Sequence, residues 1–262
     1  AEWPIQRINE NNRVLWDGLG QLKYHRASIR RNVNNCINLG ACGLGCPVDA
    51  KQSMSVTIIA DAVEKGLTLI ANASARQLSW SDRKVKQVIA EIFNPKSDRP
   101  TGVQLTVTSK VVVASGGAIN TPGLLLRSRL DAEGRVGRRT WLHPVVVMVG
   151  QYDREINGFS GAPQSVYSEQ FAARGAGEMG FVLEVPPVYP MLAGLSVQGD
   201  RSQIESQLAR VDRMSATIAV LCDGLLPQEV GATVRLRDDS YGRYSLNYKF
   251  LPEHSEAFQV AC

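Results

Sequence analysis

No apolar run in this sequence approaches the ~20 residues that a helix needs to cross a bilayer, so no transmembrane segment is expected. No signal peptide, internal repeat or low-complexity stretch is recognisable. Histidine is scarce: His25, His143 and His254 are all there is. A concentrated basic patch is missing too. The net charge is +4, from 29 basic and 25 acidic side chains. The nearest basic cluster is His25, Arg26, Arg30 and Arg31, far sparser than a nucleic-acid-binding face, and it reads as solvated surface. Cysteine is neither absent nor abundant. Of five, Cys36, Cys42 and Cys46 lie close together, while Cys222 and Cys262 stand apart. An odd count with one tight cluster is not the disulfide framework of a small secreted domain.

What is present has an ordinary globular balance, 44% apolar and 21% charged over 262 residues. That suits one large domain or two interleaved ones, with ample material for a core. The sequence opens at Ala1 rather than Met, and Glu256–Cys262 reads like a helix cut short, so an internal piece of a longer protein is expected. Helical spacing predicts a helix near Asn11–Leu22 and another over Lys51–Lys65, with Gly66 as its C-terminal cap. Cys36–Cys46, rich in Gly and Cys, reads as a loop. Extended segments are expected at Leu67–Ala71, Ala75–Trp80, Val85–Phe93 and Gly102–Thr108, with a turn over 94–100. Val111–Ala114, apolar throughout, reads as a strand buried on both faces. It runs into Ser115-Gly116-Gly117 and then a helix, with Thr121 placed as the cap and Pro122 in the first turn. After residue 145 the texture changes to strands at Val145–Tyr152, Gly180–Val185, Thr217–Cys222, Ala232–Arg237 and Tyr244–Phe250. One helix, Ser202–Met214, interrupts them. Strands with few helices between them indicate a largely antiparallel sheet.

The strand–glycine–helix unit at 111–128 is the most informative segment. Glycine lets bare backbone approach a ligand, and ligands of open α/β sheets collect at the carboxyl ends of strands. Gly117-Ala118-Ile119-Asn120-Thr121-Pro122-Gly123-Leu124-Leu125-Leu126-Arg127-Ser128 closely resembles a signature of the glucose–methanol–choline oxidoreductases. Val136-Gly137-Arg138-Arg139-Thr140-Trp141-Leu142-His143-Pro144 resembles a second motif of that family. Cys42-Gly43-Leu44-Gly45-Cys46-Pro47-Val48-Asp49-Ala50-Lys51-Gln52-Ser53 resembles a third. The sequence departs from those patterns at Asp49, Arg129, Arg139-Thr140 and Leu142.

This resemblance implies an α/β, or α+β, chain. Residues 1–144 would form part of a Rossmann-like FAD-binding domain, and 145–262 part of a largely antiparallel substrate-binding domain. It implies oxidation of a CH–OH group of an alcohol, sugar or sterol, with hydride passing to FAD. The residues implied to touch flavin are Ala75, whose strand offers backbone to the adenine, then Ala114, Ser115 and Gly116, with Thr121 beside them. The family's Gly-x-Gly-x-x-Gly phosphate turn and its C-terminal catalytic histidine segment are not found in the sequence. Gly175–Gly180 has the spacing of that turn but precedes a strand, so it reads as a glycine-rich loop. No catalytic residue is assigned, and the isolated chain is expected to hold flavin poorly. His143 reads as a hydrogen-bonded structural residue.

Cys36, Cys42 and Cys46 can wrap thiolates around a soft metal. Their spacing resembles a branch of the family that carries a three-iron (3Fe-4S) cluster and passes electrons to an acceptor protein. Zinc, which wants four ligands, and thiols that are inert or disulfide-forming stay open beside it. A non-catalytic fragment or paralogue that packs against a partner is the alternative function.

Overall fold

The computed structural model describes residues 2–131, 133–227, 229–239 and 242–262. In chain order its helices are α1 Glu10–Gln21, α2 Ile58–Glu64, α3 Gly117–Arg127, α4 Pro190–Ser196, α5 Arg201–Leu208 and α6 Pro252–Ala261. Its strands are β1 Ala27–Ser28, β2 Ala73–Ser81, β3 Lys84–Asn94, β4 Arg99–Thr108, β5 Val145–Gln151, β6 Val166–Ser168, β7 Phe181–Glu184, β8 Met214–Leu221, β9 Thr233–Leu236 and β10 Tyr244–Asn247. Every pairing among these strands is antiparallel, giving an α+β fold. Two compact units emerge. The first holds residues 1–65, 143–227 and 251–262; the second holds 66–142 and 228–250.

The first unit is built on a five-stranded sheet in the order β1-β6-β7-β8-β5. Strand alternation sends Val146, Met148, Leu183, Ala219 and Leu221 to one face. There they meet Phe181, Met179 and Ala257 of α6 in a core where Phe181 stacks on Phe171 with centroids 5.0 Å apart. Helix α1 is capped by Asn9, whose side chain accepts from Asn12 N. It is fixed to the sheet by two adjacent asparagines with no solvent exposure. Asn11 Oδ1 accepts from Ala216 N at 3.0 Å and Ser215 Oγ at 2.8 Å, and its amide donates to Pro186 O at 2.9 Å. Asn12 Oδ1 accepts from Ser165 N at 2.9 Å and Val166 N at 3.0 Å. Each side chain thus satisfies backbone groups that burial would otherwise leave unpaired. Trp3, Ile8, Ala162 and Val166 form a second small core with Leu15 and Trp16 of α1.

The second unit centres on the meander β2-β3-β4. The β2–β3 hairpin turns through Asp82 and Arg83, both with positive φ, as a two-residue turn with matching twist requires. The C-terminal end of α3 packs on β2. Ser128 Oγ accepts from Leu78 N at 2.8 Å and donates to Leu124 O at 2.7 Å, while Trp80 Nε1 donates to Ser128 O at 2.8 Å. The β9–β10 ribbon lies nearby, and Val234 N bonds Gly137 O at 2.6 Å.

Several expectations need correcting. Lys51–Lys65 is not one helix: a 3-10 turn at Met54–Val56 precedes α2, which is only seven residues long. Gly66 does take the left-handed φ of a cap, 97°. Leu67–Ala71 forms no strand, and Leu67, Leu69 and Ile70 are exposed. The helix expected over 202–214 ends at Leu208, and β8 begins at Met214. The cysteine-rich loop contains a 3-10 turn at Ala41–Gly43. Gly175–Gly180 does precede β7 as a loop.

Candidate functional site

Val111–Ala114 is not a buried strand. Among the described residues no strand pairs with it, and Val111 and Val113 are 74% and 80% exposed. An apolar run becomes an interior strand only where neighbours hydrogen-bond and cover it, and periodicity cannot report those neighbours. Thr121 is not the cap of α3 either. The helix starts at Gly117, whose φ of 80° turns the chain into it, with Gly116 as the N-cap. Pro122 therefore sits inside the helix, where its missing N–H forgoes one backbone bond. Thr121 Oγ1 instead reaches back to Ala114 O at 3.4 Å and ties the extended run to the helix. Ala114, Ser115, Gly116 and Thr121 thus share one end of α3, beside a glycine whose added Cβ would meet nothing within 4 Å.

Ala75 lies elsewhere. It pairs with Ala90 of β3, next to a bulge at Arg76. Arg127, at the far end of α3, donates to Ala75 O at 3.3 Å and Arg76 O at 2.8 Å. A helix of 11 residues is roughly 16 Å long, so Ala75 and the glycine end are separated by about that span.

The three clustered cysteines line one cavity of about 500 Å³ in the first unit, together with Arg31, Lys51 and Pro187. Their surroundings differ. Cys36 packs against the Trp3–Val166 core. Cys42 Sγ accepts from Arg31 Nη2 at 3.5 Å, and Lys51 Nζ donates to Cys42 O at 3.1 Å. Cys46 sits in a turn whose backbone N–H groups, that of Lys51 foremost and then Val48, point at its sulfur and lower its pKa. All five cysteines are free thiols. The three sulfurs do not all lie within 4.8 Å of one another, whereas one tetrahedral ion would hold them roughly 3.8 Å apart. The arrangement does not fit a mononuclear metal.

Burial, with Glu169 adding to it, pushes the Cys222 thiol in the opposite direction. Thiolate is the reactive form. Alkylation by iodoacetamide, followed by mass spectrometry between about pH 6 and 9, is therefore expected to show Cys46 reacting at lower pH than Cys222. A Cys46 rate profile with its midpoint at or above that of Cys222 would contradict the amide-lined turn.

The second face of β5 matters as well. Val145, Val147 and Val149 alternate away from the α6-covered core and are 41%, 54% and 59% exposed. Two concavities open on that face. One, about 1050 Å³, is lined by Arg30, His143, Tyr167, Glu169, Glu184 and Val220 among others. The other, about 510 Å³, is floored by Val147, Val149, Ala216 and Ile218 and walled by Leu192 and Val197.

The sequence profile of the GMC oxidoreductases matches residues 2–145, more than half the chain, and takes in both the cysteine-rich loop and the glycine end of α3. The chain belongs to the GMC oxidoreductase family. An uncharacterized GMC-type oxidoreductase of Mycobacterium tuberculosis is 26% identical over 249 residues, which cover 94% of this chain and 37% of the relative. A long-chain-alcohol oxidase of Arabidopsis thaliana is 30% identical over 156 residues, or 57% of this chain and 21% of that protein. Another from the same plant is 28% identical over 232 residues, or 81% of this chain and 30% of its own length. This GMC chain thus spans little more than a third of the length of the mycobacterial relative it matches.

Two histidines of this GMC chain, His25 and His254, accept backbone hydrogen bonds. His25 Nδ1 accepts from Glu169 N at 3.1 Å. His254 is buried. Its Nδ1 accepts from Leu251 N at 3.0 Å and caps α6, and its Nε2 lies 3.5 Å from Asp223. His143 lines the larger concavity. The clue missed in the sequence was the run Val145-Val146-Val147-Met148-Val149. A strand with one wet face should alternate with polar residues, and this one is apolar on both sides.

Proposed function

We propose that this chain is part of a flavin-dependent oxidoreductase that oxidises the CH–OH group of an alcohol. The observation that carries the reading is the uncovered, glycine-flanked start of α3 inside the segment that matches the GMC family. Two relatives named as alcohol oxidases support the substrate class. The residues present fit FAD: the backbone of Ala114, Ser115 and Gly116 is unshielded by large side chains, and the adjoining apolar run offers a surface to cover. FAD, when bound, supplies the hydride acceptor. Residues 1–144 would then contribute to the flavin domain and 145–262 to the substrate domain. Ala114, Ser115 and Gly116 would give close backbone approach, Thr121 would hold Ala114 in place, and Ala75 would offer strand backbone further along. The open face of the five-stranded sheet would orient and desolvate the alcohol. We assign none of the three histidines as base, because His25 and His254 already accept backbone N–H bonds at Nδ1.

A second reading concerns electron exit. Three thiols on one cavity favour an iron–sulfur cluster that hands electrons to an acceptor protein. Iron and acid-labile sulfide in the anaerobically purified natural protein are its measure.

The main reading is tested by Gly116→Val in the longest natural protein containing this sequence. A Cβ at Gly116 already comes within 3.2 Å of Asn120 Cβ and 3.3 Å of Thr121 N, so a branched side chain must push into the space beyond. Flavin per chain is expected to fall at least about tenfold, well beyond what any loss in melting temperature explains. Normal flavin content with full alcohol oxidation would refute the placement.

A further inference from the structure

We infer that an arginine-lined cavity beside β9 binds a small organic phosphate monoester. The cavity, about 730 Å³, lies wholly within the second unit. Arg138, Arg139 and Arg235 line it. The carboxylate among its lining residues is Asp131, whose Oδ1 already accepts from Val136 N at 3.0 Å. The nearby Glu133 is engaged by Arg135 at 3.0 Å. Among the described residues none of the three lining arginines forms an ion pair. Like charges gathered around one concavity repel one another and focus their field on an anion that enters it.

The backbone holds these arginines in place. Val234 N donates to Gly137 O at 2.6 Å, and Thr140 and Ala232 exchange both backbone bonds, at 3.0 and 2.7 Å. Arg138 and Arg139 lie between these two clamps, and Arg235 follows Val234 directly in β9. Little ordering of the chain therefore opposes binding. Arg139 carries the sharper signal. Its φ is 57°, in the left-handed region where an L-residue is disfavoured and Asn is the side chain best tolerated. The sequence departs from the family motif at this same position. A strained site filled by a residue poorly suited to its backbone points to a use for the side chain beyond folding. Close packing fixes the strain. A Cβ on Gly231 would lie 3.0 Å from Arg139 Cα and 3.1 Å from the Trp141 ring, and the Arg139 guanidinium stands 5.7 Å from that ring's centroid.

The donor set selects the ligand. A guanidinium presents a planar fork that pairs with two oxygens of a carboxylate or phosphate. A carboxylate offers enough for one fork. A phosphate monoester offers three acceptor oxygens and a charge of about −1.5 to −2 near neutral pH, so it can engage several forks at once. The phosphate fills only a small part of the cavity, and Leu126, Val136, Val230 and Leu236 supply apolar wall for an organic body beyond it. The cavity touches the last turn of α3 at Leu126, whereas Ala114–Gly116 precede the first turn. It is thus a site apart from the glycine end proposed for flavin, and it stands whether or not the longer protein oxidises an alcohol.

Isothermal titration calorimetry of the 262-residue chain tests this with phenyl phosphate, inorganic phosphate and phenol. Phenyl phosphate is expected to bind once per chain and at least about tenfold more tightly than inorganic phosphate, which leaves the apolar wall uncovered. Phenol should show no saturable binding, and the affinity for phenyl phosphate should fall as salt is raised. Arg139→Asn should weaken phenyl phosphate binding at least about tenfold, the usual worth of a hydrogen bond to a charged group. Its melting temperature should hold or rise, because Asn suits the left-handed backbone. An arginine needed only for folding could not give that pair of results. Arg235→Gln should lose affinity to a similar degree. Arg83→Asn, at an exposed turn position with φ of 59°, relieves the same kind of strain and should leave binding unchanged. Absence of saturable phenyl phosphate binding overturns the inference, as does wild-type affinity in both Arg139→Asn and Arg235→Gln. Inorganic phosphate bound as tightly as phenyl phosphate would overturn the organic ligand. Displacement of phenyl phosphate by FAD would give the cavity to the flavin and overturn the separate site.

Discussion

Replacing Asn12 with Ala is expected to lower the melting temperature of the chain by roughly 10 °C. The side chain is fully buried, and its Oδ1 receives two backbone N–H groups, from Ser165 and Val166. Truncation leaves both donors buried without a partner, at about 1–3 kcal/mol each. A sum on the order of 3–4 kcal/mol corresponds to about 10 °C in a protein of this size. Restoring volume should not help. Asn12→Leu fills the space but offers no acceptor, and it is expected to be at least as destabilised. Arg201→Ala provides the contrast: that side chain is 92% exposed, its partner Glu205 is one helical turn away, and the change should stay within about 0.5 kcal/mol. Thermal unfolding followed by circular dichroism measures all three. An Asn12→Leu protein as stable as wild type would mean that packing, and not hydrogen bonding, anchors α1.

Gly40→Ala should be nearly as damaging, with a second signature at the cysteines. Gly40 has φ 79°, which costs an L-residue roughly 1–2 kcal/mol. An added Cβ would also lie 2.4 Å from Phe159 O and 3.1 Å from Ser160 Cα. Both obstacles are backbone, so no rotamer relieves them. The same short segment is held by Tyr189 Oη donating to Gly40 O and by Gly161 N donating to Asn38 O. Forcing it away should release the cysteine loop. Maleimide labelling of Cys42 and Cys46 is expected to accelerate several-fold, alongside a loss on the order of 3 kcal/mol. Gly45→Ala is the matched control. Its φ is 92°, but a Cβ there meets nothing within 4 Å, so only the conformational penalty applies. Equal losses at Gly40 and Gly45 would show that the contact with 159–161 contributes nothing.

Local signals in the sequence carried the fold where an element's own residues decide it. Helix α1 and strands β2, β3, β5 and β7 lie within two residues of the positions their periodicity predicts. Failures cluster where the deciding partner is remote. Val111–Ala114 has the composition of an interior strand, but burial is conferred by neighbours, and among the described residues none covers Val111 or Val113. Strands β1 and β6, two and three residues long, are too short to show any period and exist because each pairs with a distant segment. The Thr121-Pro122 cap signature lost to the glycine pair just before it, since Gly117 supplies the left-handed turn that starts α3. The candidate site was legible in the same uneven way. Ala114–Gly116 and Thr121 do converge on one helix end. Ala75, which the family resemblance assigns to the adenine, lies at the other end of α3, a separation that only the length of that helix shows.

The anchoring of α1 also sets a clock. Its asparagines bond residues 153 to 205 positions further along the chain, and β1 pairs with β6 across a similar gap. On a ribosome adding roughly 5–20 residues per second, α1 emerges about 10–40 s before Ser215 and Ala216 exist to receive it. During that interval Trp3, Leu15 and Trp16 have no sheet to pack against, and neither asparagine can do its work. Sheet closure over such separations carries a large loop-closure entropy and is slow even after release. The segment that carries α1 therefore waits without its sheet for that interval, and slowing synthesis would lengthen the wait.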